Sequence, residues 1–273
     1  MRTKTTELLR NAAEGRYAVG AFAAHTLEEL SGIIGAAEEE KSPAMLIIGS
    51  WLFGRADVEL LVRTAQFMMQ RTRVPISLHL DHGRTPEHIA GAIRYGYDSG
   101  MLDASDLPFE QNVEKTRAAA ESLHKAGMAC EGELGKIGAG VSSREGFTEP
   151  EEARRFVEET DVDALAVAVG TAHGLYPKPP KLDFDRLERI HAKCPAYLVL
   201  HGGSDTPPDQ VRRAIELGIT KINIATDVTL AYIRGISGAK WSLEASLGAT
   251  NAVKALVKEK MQILGSSGRA VGL

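Results

Sequence analysis

The run SLHLDHGRT at residues 77–85 sets His79, Asp81 and His82 at the close of an apolar stretch. Imidazole and carboxylate groups are costly to bury without partners, so these three are either mutually satisfied or employed in chemistry. Two further histidines stand beside glycine, His173 in GTAHG (170–174) and His201 in HGGSD (201–205). Three imidazoles with no cysteine nearby suit a catalytic Zn²⁺ that keeps an open coordination position. A lone histidine at a strand end is more often a hydrogen-bonded structural residue. Three on one face, each followed by glycine, shift the balance to a metal, so His82, His173 and His201 are the ligand candidates. His79 points to the opposite side of its strand and reads as core or support. His25, His88, His124 and His191 fall on helical or loop stretches and read as surface.

Carboxylates and small polar groups accompany the histidines. Asp81 adjoins a ligand candidate and is placed to accept a hydroxyl proton and return it. Asp103 and Ser105 close the fourth apolar run, Glu131 and Glu133 lie on the fifth, and Asn223 and Thr226 on the eighth. The glycines around His173 and His201 let backbone N–H groups approach an anion closely, and NIATD (223–227) adds an amide, a hydroxyl and a helix start. Each glycine cluster alone is weak, since turns need glycine. Their grouping late in the chain predicts a phosphate cradle. Lys221 opens the eighth run, where it reads as framing for that cradle; no strand-end lysine is needed as a Schiff base.

Such scattered residues need a scaffold that gathers them. Short apolar runs recur at 17–22, 44–49, 76–81, 99–104, 129–134, 164–170, 197–202 and 221–226, each followed by a helical pattern. The runs are too uniformly apolar for hairpins with one wet face, as parallel strands covered by helices should be. Eight strand-then-helix units predict an α/β fold, a (β/α)8 TIM barrel, whose chemistry gathers at the carboxyl ends of the strands. Helical stretches at 227–236 and 249–263 add C-terminal helices, and residues 1–273 read as one domain. A doubly wound open sheet competes, but no GxGxxG opens the first unit. Thr26, Thr148 and Thr206 mark helix starts, Gly127 and Gly218 mark stops, and GSSGRAVGL (265–273) reads as a loose tail.

Composition narrows the function classes. The chain has 273 residues, 44% hydrophobic and 25% charged, with net charge −4 and acids and bases interspersed. No basic stripe points to nucleic acid. No apolar run approaches the ~20 residues of a membrane helix, and the first residues lack a signal-peptide core. Cys130 and Cys194 have no CxxC spacing and read as buried thiols in a reducing compartment, so cytoplasm is the expectation.

The motifs HLDHG, MLDAS, EGELG, VDALAVAVGTAHGLY, KLDFDRL, LVLHGGSD and KINIATD, in this order, resemble the class II, metal-dependent ketose-bisphosphate aldolases over nearly the whole chain. GTAHGLY and KINIATD are most similar to the tagatose-bisphosphate aldolase branch. The resemblance implies a sugar-phosphate substrate, one Zn²⁺ per subunit on His82, His173 and His201, and Asp81 as the acid/base. It further implies that Ser50, Gly174, Lys178, Gly202, Ser204, Asn223 and Thr226 bind the substrate and its phosphate. Asp103 and Glu133 would line the metal cavity, a monovalent cation would sit near the phosphate, and the chain would form a homodimer or homotetramer.

Two departures from the family pattern stand out. Ala23 occupies the place of an expected asparagine, with His25 shortly after. Downstream of EGELG, the stretch KIGAGVSSREGFTEPEEA (136–153) lacks the family's Glu-Asp pair and is several residues shorter, leaving Glu145 as an acid at a different spacing. The shorter loop implies a different aldehyde, larger or unphosphorylated, or a weakened proton transfer. Arg55, Arg144 and Arg234 are candidates for a distal phosphate. The competing reading is a catalytically impaired relative acting as an accessory or sugar-phosphate-binding subunit. A metal-dependent hydrolase on the same barrel would need a bridging acid or lysine, for which the sequence offers no clear residue.

Overall fold

The computed structural model describes residues 1–138, 146–176 and 178–270. Its eight strands are β1 (Val19–Ala23), β2 (Ala44–Ile47), β3 (Ile76–Gly83), β4 (Ser99–Leu102), β5 (Ala129–Leu134), β6 (Ala164–Val167), β7 (Tyr197–Leu200) and β8 (Ile219–Ile224). They close into a barrel in chain order, every neighbouring pair parallel, with β8 returning to β1. Such a barrel hides both faces of every strand, which is why the strands are buried almost throughout. The fold is the (β/α)8 barrel, with further helices after the eighth strand.

Ten α-helices accompany the strands among the described residues. Those the argument uses are α1 (Thr5–Gly15), α2 (Leu27–Glu40), α4 (Pro86–Tyr95), α6 (Pro150–Thr160), α9 (Thr226–Ile236) and α10 (Ser242–Ile263). Helix α1 buries Leu8, Leu9 and Ala12 against β1, β7 and β8 and closes the amino-terminal mouth of the barrel. Helix α10 packs along α2 and α9, so the two final helices extend the outer layer.

Side chains alternate between two cores. Phe22, Leu46, Leu78, Leu165 and Leu198 belong to the large cluster under the helices, whereas Ala21, Ala23, Ala164 and Ala166 fall in separate interior clusters. The small interior residues leave volume inside the barrel for longer polar side chains.

Some local expectations shift. Thr26 caps α2 with a full capping box. Thr148 instead staples two strand ends: its hydroxyl donates to Leu134 O and accepts from Ala168 N–H at 2.8 Å. The N-cap of α6 is Glu149. The supposed loose tail is pinned through Ala270, because Gly268 N–H donates to Glu40 O, Ala270 N–H donates to Lys41 O, and Ser42 donates to the buried Ser266 hydroxyl. No described helix is long and apolar enough to cross a membrane.

Candidate active site

Strict alternation along a strand would send Asp81 and His82 to opposite faces. The register between β3 and β4 slips between Leu80 and Gly83, and His82 takes a left-handed φ of 46°. This bulge turns both neighbours into one cavity at the carboxyl end of the barrel. The Ser50 hydroxyl, on the turn after β2, donates to the His82 carbonyl and braces the unusual backbone.

The loops after β6 and β7 supply the other imidazoles, and they are locked together. Gly202 has φ 69°, and a Cβ there would lie 2.2 Å from Ala172 O. The Tyr176 hydroxyl accepts from Ala172 N–H at 2.8 Å and lies 2.9 Å from the Gly202 carbonyl, tying the loop that carries His173 to the one that carries His201. As a result the His82 ring centroid lies 5.0 Å from that of His173 and 5.1 Å from that of His201. One ligand-capable atom of each histidine lies within 4.8 Å of the other two.

The electrostatics are strongly coupled. His82 Nδ1 pairs with Asp103 Oδ2 at 2.8 Å, and Asp103 also receives Arg84 Nη2 at 3.0 Å. Burial opposes a charge on His82, but Asp81, Asp103 and Glu133 outweigh it and push its pKa up to about 9. Burial, followed by the neighbouring rings of His201 and His82, pulls His173 down to about 4. Burial would raise the Asp81 carboxyl, yet His82, His201 and Lys221 hold it below the usual carboxylate range. Burial, with help from Asp103, pushes Glu133 up to about 8.

The donor set fits a divalent cation. His201 Nδ1 is buried without a hydrogen-bond partner, 3.3 Å from Glu133 Oε2, and His201 offers one ligand-capable nitrogen to the cluster with His82 and His173. His82, Asp103 and Glu133 form a second group of metal-capable atoms, also mutually within 4.8 Å.

Around these groups lies a cavity of about 630 Å³. Its lining includes Gly174, Gly202, Ser204, Asn223 and Ser50, together with Thr226 at the amino-terminal end of α9. Asn223 Nδ2 donates to Asp81 Oδ1 at 3.0 Å, while Asn223 Oδ1 is buried without a partner.

The remaining sequence candidates disperse. Lys178 is exposed and outside the cavity lining, as is Arg234, and Arg55 pairs with Asp57 at the surface. Arg144 and Glu145 lie outside the described residues. Ala23 is buried inside the barrel.

His88 is not a surface residue: half-buried in the first turn of α4, it lines the outer cavity wall with Trp51 and Arg84. Its place one turn into the helix after HLDHG is the signal that could have identified it. Nor does Lys221 frame the cradle. It is fully buried inside the barrel, with Nζ 2.7 Å from Glu131 Oε2.

Comparison with known proteins gives a consistent set of relatives. The family described as fructose-bisphosphate aldolase class-II matches residues 3–269. A sulfofructosephosphate aldolase from Alkalicoccus urumqiensis is 40% identical over 276 residues, covering 96% of each chain. The crystal structure of the YdjI aldolase from Escherichia coli K12 superposes with a TM-score of 0.92 at 35% identity, covering 99% of this chain and 100% of that one. The fructose-bisphosphate aldolase of Campylobacter jejuni, 19% identical, shares the fold with a TM-score of 0.82 over 98% of this chain and 97% of its own.

Proposed function

We propose, since this chain belongs to the class-II fructose-bisphosphate aldolase family and is a carbon–carbon lyase of the aldolase kind, that it reversibly cleaves a ketose phosphate into dihydroxyacetone phosphate, or a close analogue, and an aldehyde. The observation that carries this reading is the meeting of three imidazoles, two of which line a cavity with the Asp81 carboxylate and with Gly174, Gly202, Ser204 and Thr226, and the third of which is buried beside them.

In this reading His82, His173 and His201 hold one Zn²⁺ per chain, and Asp103 and Glu133 offer, with His82, a second position beside it. The ion, when bound, supplies Lewis acidity to the carbonyl on which negative charge develops.

The protein's own groups handle the proton and the phosphate. Asp81 accepts the C4 hydroxyl proton as the C3–C4 bond breaks, the electron pair remaining on C3 as an enediolate, and returns the proton in condensation. Asn223 fixes Asp81 Oδ1, which leaves Oδ2, 3.9 Å from His82 Nε2, for the substrate. The partnerless Asn223 Oδ1 suits a ketose hydroxyl. Gly174, Gly202, Ser204 and Thr226 surround the phosphate, favoured there by the amino-terminal dipole of α9. Lys178, exposed and outside the cavity lining, is the outermost of the proposed phosphate contacts. A monovalent cation beside the phosphate, a single domain, a cytoplasmic location and a homodimer or homotetramer complete the proposal.

The sulfofructosephosphate aldolase relative places a sulfonated ketose phosphate in the substrate panel. Elemental analysis joined to cleavage assays on ketose 1-phosphates, 1,6-bisphosphates and that sulfonate tests the reading. Bound zinc is expected, with cleavage abolished by chelator and restored by zinc. Cleavage that persists in metal-free protein, or zinc-loaded protein that cleaves no panel member, would overturn it.

A further inference from the structure

Beneath the cavity floor lies a charged group that the proposed reaction does not use. Lys221 on β8 and Glu131 on β5 are inside the barrel, with Lys221 Nζ 2.7 Å from Glu131 Oε2. Glu131 Oε1 in turn lies 3.0 Å from His201 Nε2. His79 flanks the pair, its Nε2 at 3.9 Å from Glu131 Oε2 and its Nδ1 at 2.8 Å from the Ser99 hydroxyl. All three side chains that face Glu131 are nearly or wholly shut off from solvent. A lone buried charge is very costly, so each ion in this pair depends on the other.

We infer that Lys221, acting through Glu131, sets the tautomer of His201 and is thereby a positioning residue of the metal site. The inference rests on the metal reading of the three histidines given above.

The neutral His201 ring has two possible arrangements. In one, Nε2–H donates to Glu131 and Nδ1 presents its lone pair to the cluster of His82 and His173. In the other, Nδ1 carries the proton toward Glu133 Oε2, 3.3 Å away, and Nε2 accepts from Asn223 Nδ2, 3.1 Å away. The second arrangement would leave two acceptors, His201 Nε2 and the Glu131 carboxylate, facing each other at 3.0 Å.

That clash is relieved only by a proton on Glu131, and the ammonium of Lys221 disfavours one there. In the first arrangement one Asn223 N–H keeps Asp81 while the other gives up His201 Nε2, 3.1 Å away, a neutral contact that the charge-assisted bond from Nε2–H to Glu131 outweighs. The ion pair therefore selects the tautomer whose free nitrogen, Nδ1, is the buried atom without a hydrogen-bond partner. A carboxylate behind a ligand imidazole also strengthens it as a donor. Lys221 is what allows that carboxylate to remain charged where no water reaches it.

The test uses the full-length purified protein and cobalt as the probe metal. Glu131→Gln keeps the shape of the side chain and removes its charge. Cobalt affinity, measured by competition with a chelator, should fall by about 10–100-fold. Two-bond ¹H–¹⁵N NMR of the metal-free wild type should show His201 as the Nε2–H tautomer, and the Glu131→Gln protein should show a mixture.

Each single variant strands the opposite buried charge, Lys221→Met the carboxylate and Glu131→Gln the ammonium, so each is expected to fold less well than the wild type. The pair Glu131→Gln with Lys221→Met removes both charges, so it should recover folding, read by circular dichroism, without recovering cobalt affinity. Wild-type affinity and an unchanged cobalt spectrum in Glu131→Gln and in the double variant, or the Nδ1–H tautomer in the wild type, would overturn the inference while leaving the metal reading intact. A wild-type protein that takes up neither cobalt nor zinc would overturn both.

Discussion

Asp81 and His82 owe their shared orientation to a single strained residue. His82, at φ 46°, departs from the strand at the point where the register slips, so two consecutive side chains enter the same cavity. Conformations of this kind cost about 1–3 kcal/mol and persist where the surroundings enforce them; here the Ser50 hydroxyl and Asp103 do so. The division of labour at this bulge leads to a paired prediction. Asp81→Asn should retain the metal and lower turnover by about 10²–10⁴-fold, the usual worth of a positioned general base. His201→Ala should lose both metal and turnover, because it removes a proposed ligand and leaves Glu131 without its imidazole partner. Metal content and cleavage rate measured on the same preparations decide the matter. An Asp81→Asn protein at the wild-type rate would refute the assignment.

At the scale of elements, the loops after β6 and β7 behave as one unit. Gly202 lets them approach to backbone contact and Tyr176 bonds to both, so His173 and His201 are positioned together. Gly202→Ala would drive a methyl group into Ala172 O, only 2.2 Å from the built Cβ position, at a left-handed φ that L side chains rarely adopt. The expected protein keeps its barrel, by circular dichroism, and holds the metal substoichiometrically. A variant with full metal content would show that the loops do not depend on that approach.

Helix α2, by contrast, contributes stability remote from the chemistry. Thr26 accepts from Glu29 N–H at 3.2 Å while the Glu29 carboxylate returns to Thr26 N–H at 3.1 Å. Thr26→Ala should cost about 1 kcal/mol in denaturant unfolding with little change in turnover.

Across the whole molecule, the outer layer is uneven. Helix α10 lies against α2 and α9, and Gly235 and Gly248 permit a backbone crossing so close that a Cβ on Gly248 would lie 2.2 Å from Gly235 O. Beyond that crossing, Ile233, Ile236, Leu243, Leu247 and Trp241 are exposed, Trp241 to 76%. Large exposed apolar side chains are common at association faces, and the proposed homo-oligomer would use these. Trp241→Glu combined with Leu247→Glu should shift sedimentation toward monomer with the barrel intact, whereas an unchanged profile would move the interface elsewhere.

Much of this protein is written locally. Eight apolar runs bounded by helix starts and stops determined the barrel, because parallel strands and amphipathic helices each follow from short-range patterning. His82, His173 and His201 were legible for the same reason, each sitting in its own strand-to-loop motif. Lys221 and Glu131 are 90 residues apart. Neither motif shows that their side chains meet below His201, nor that His88 lines the cavity while Lys178 stays outside it. Those outcomes depend on barrel closure, which decides which inward-facing residues become neighbours and how much water reaches them, and water access governs the charge and tautomer of buried groups.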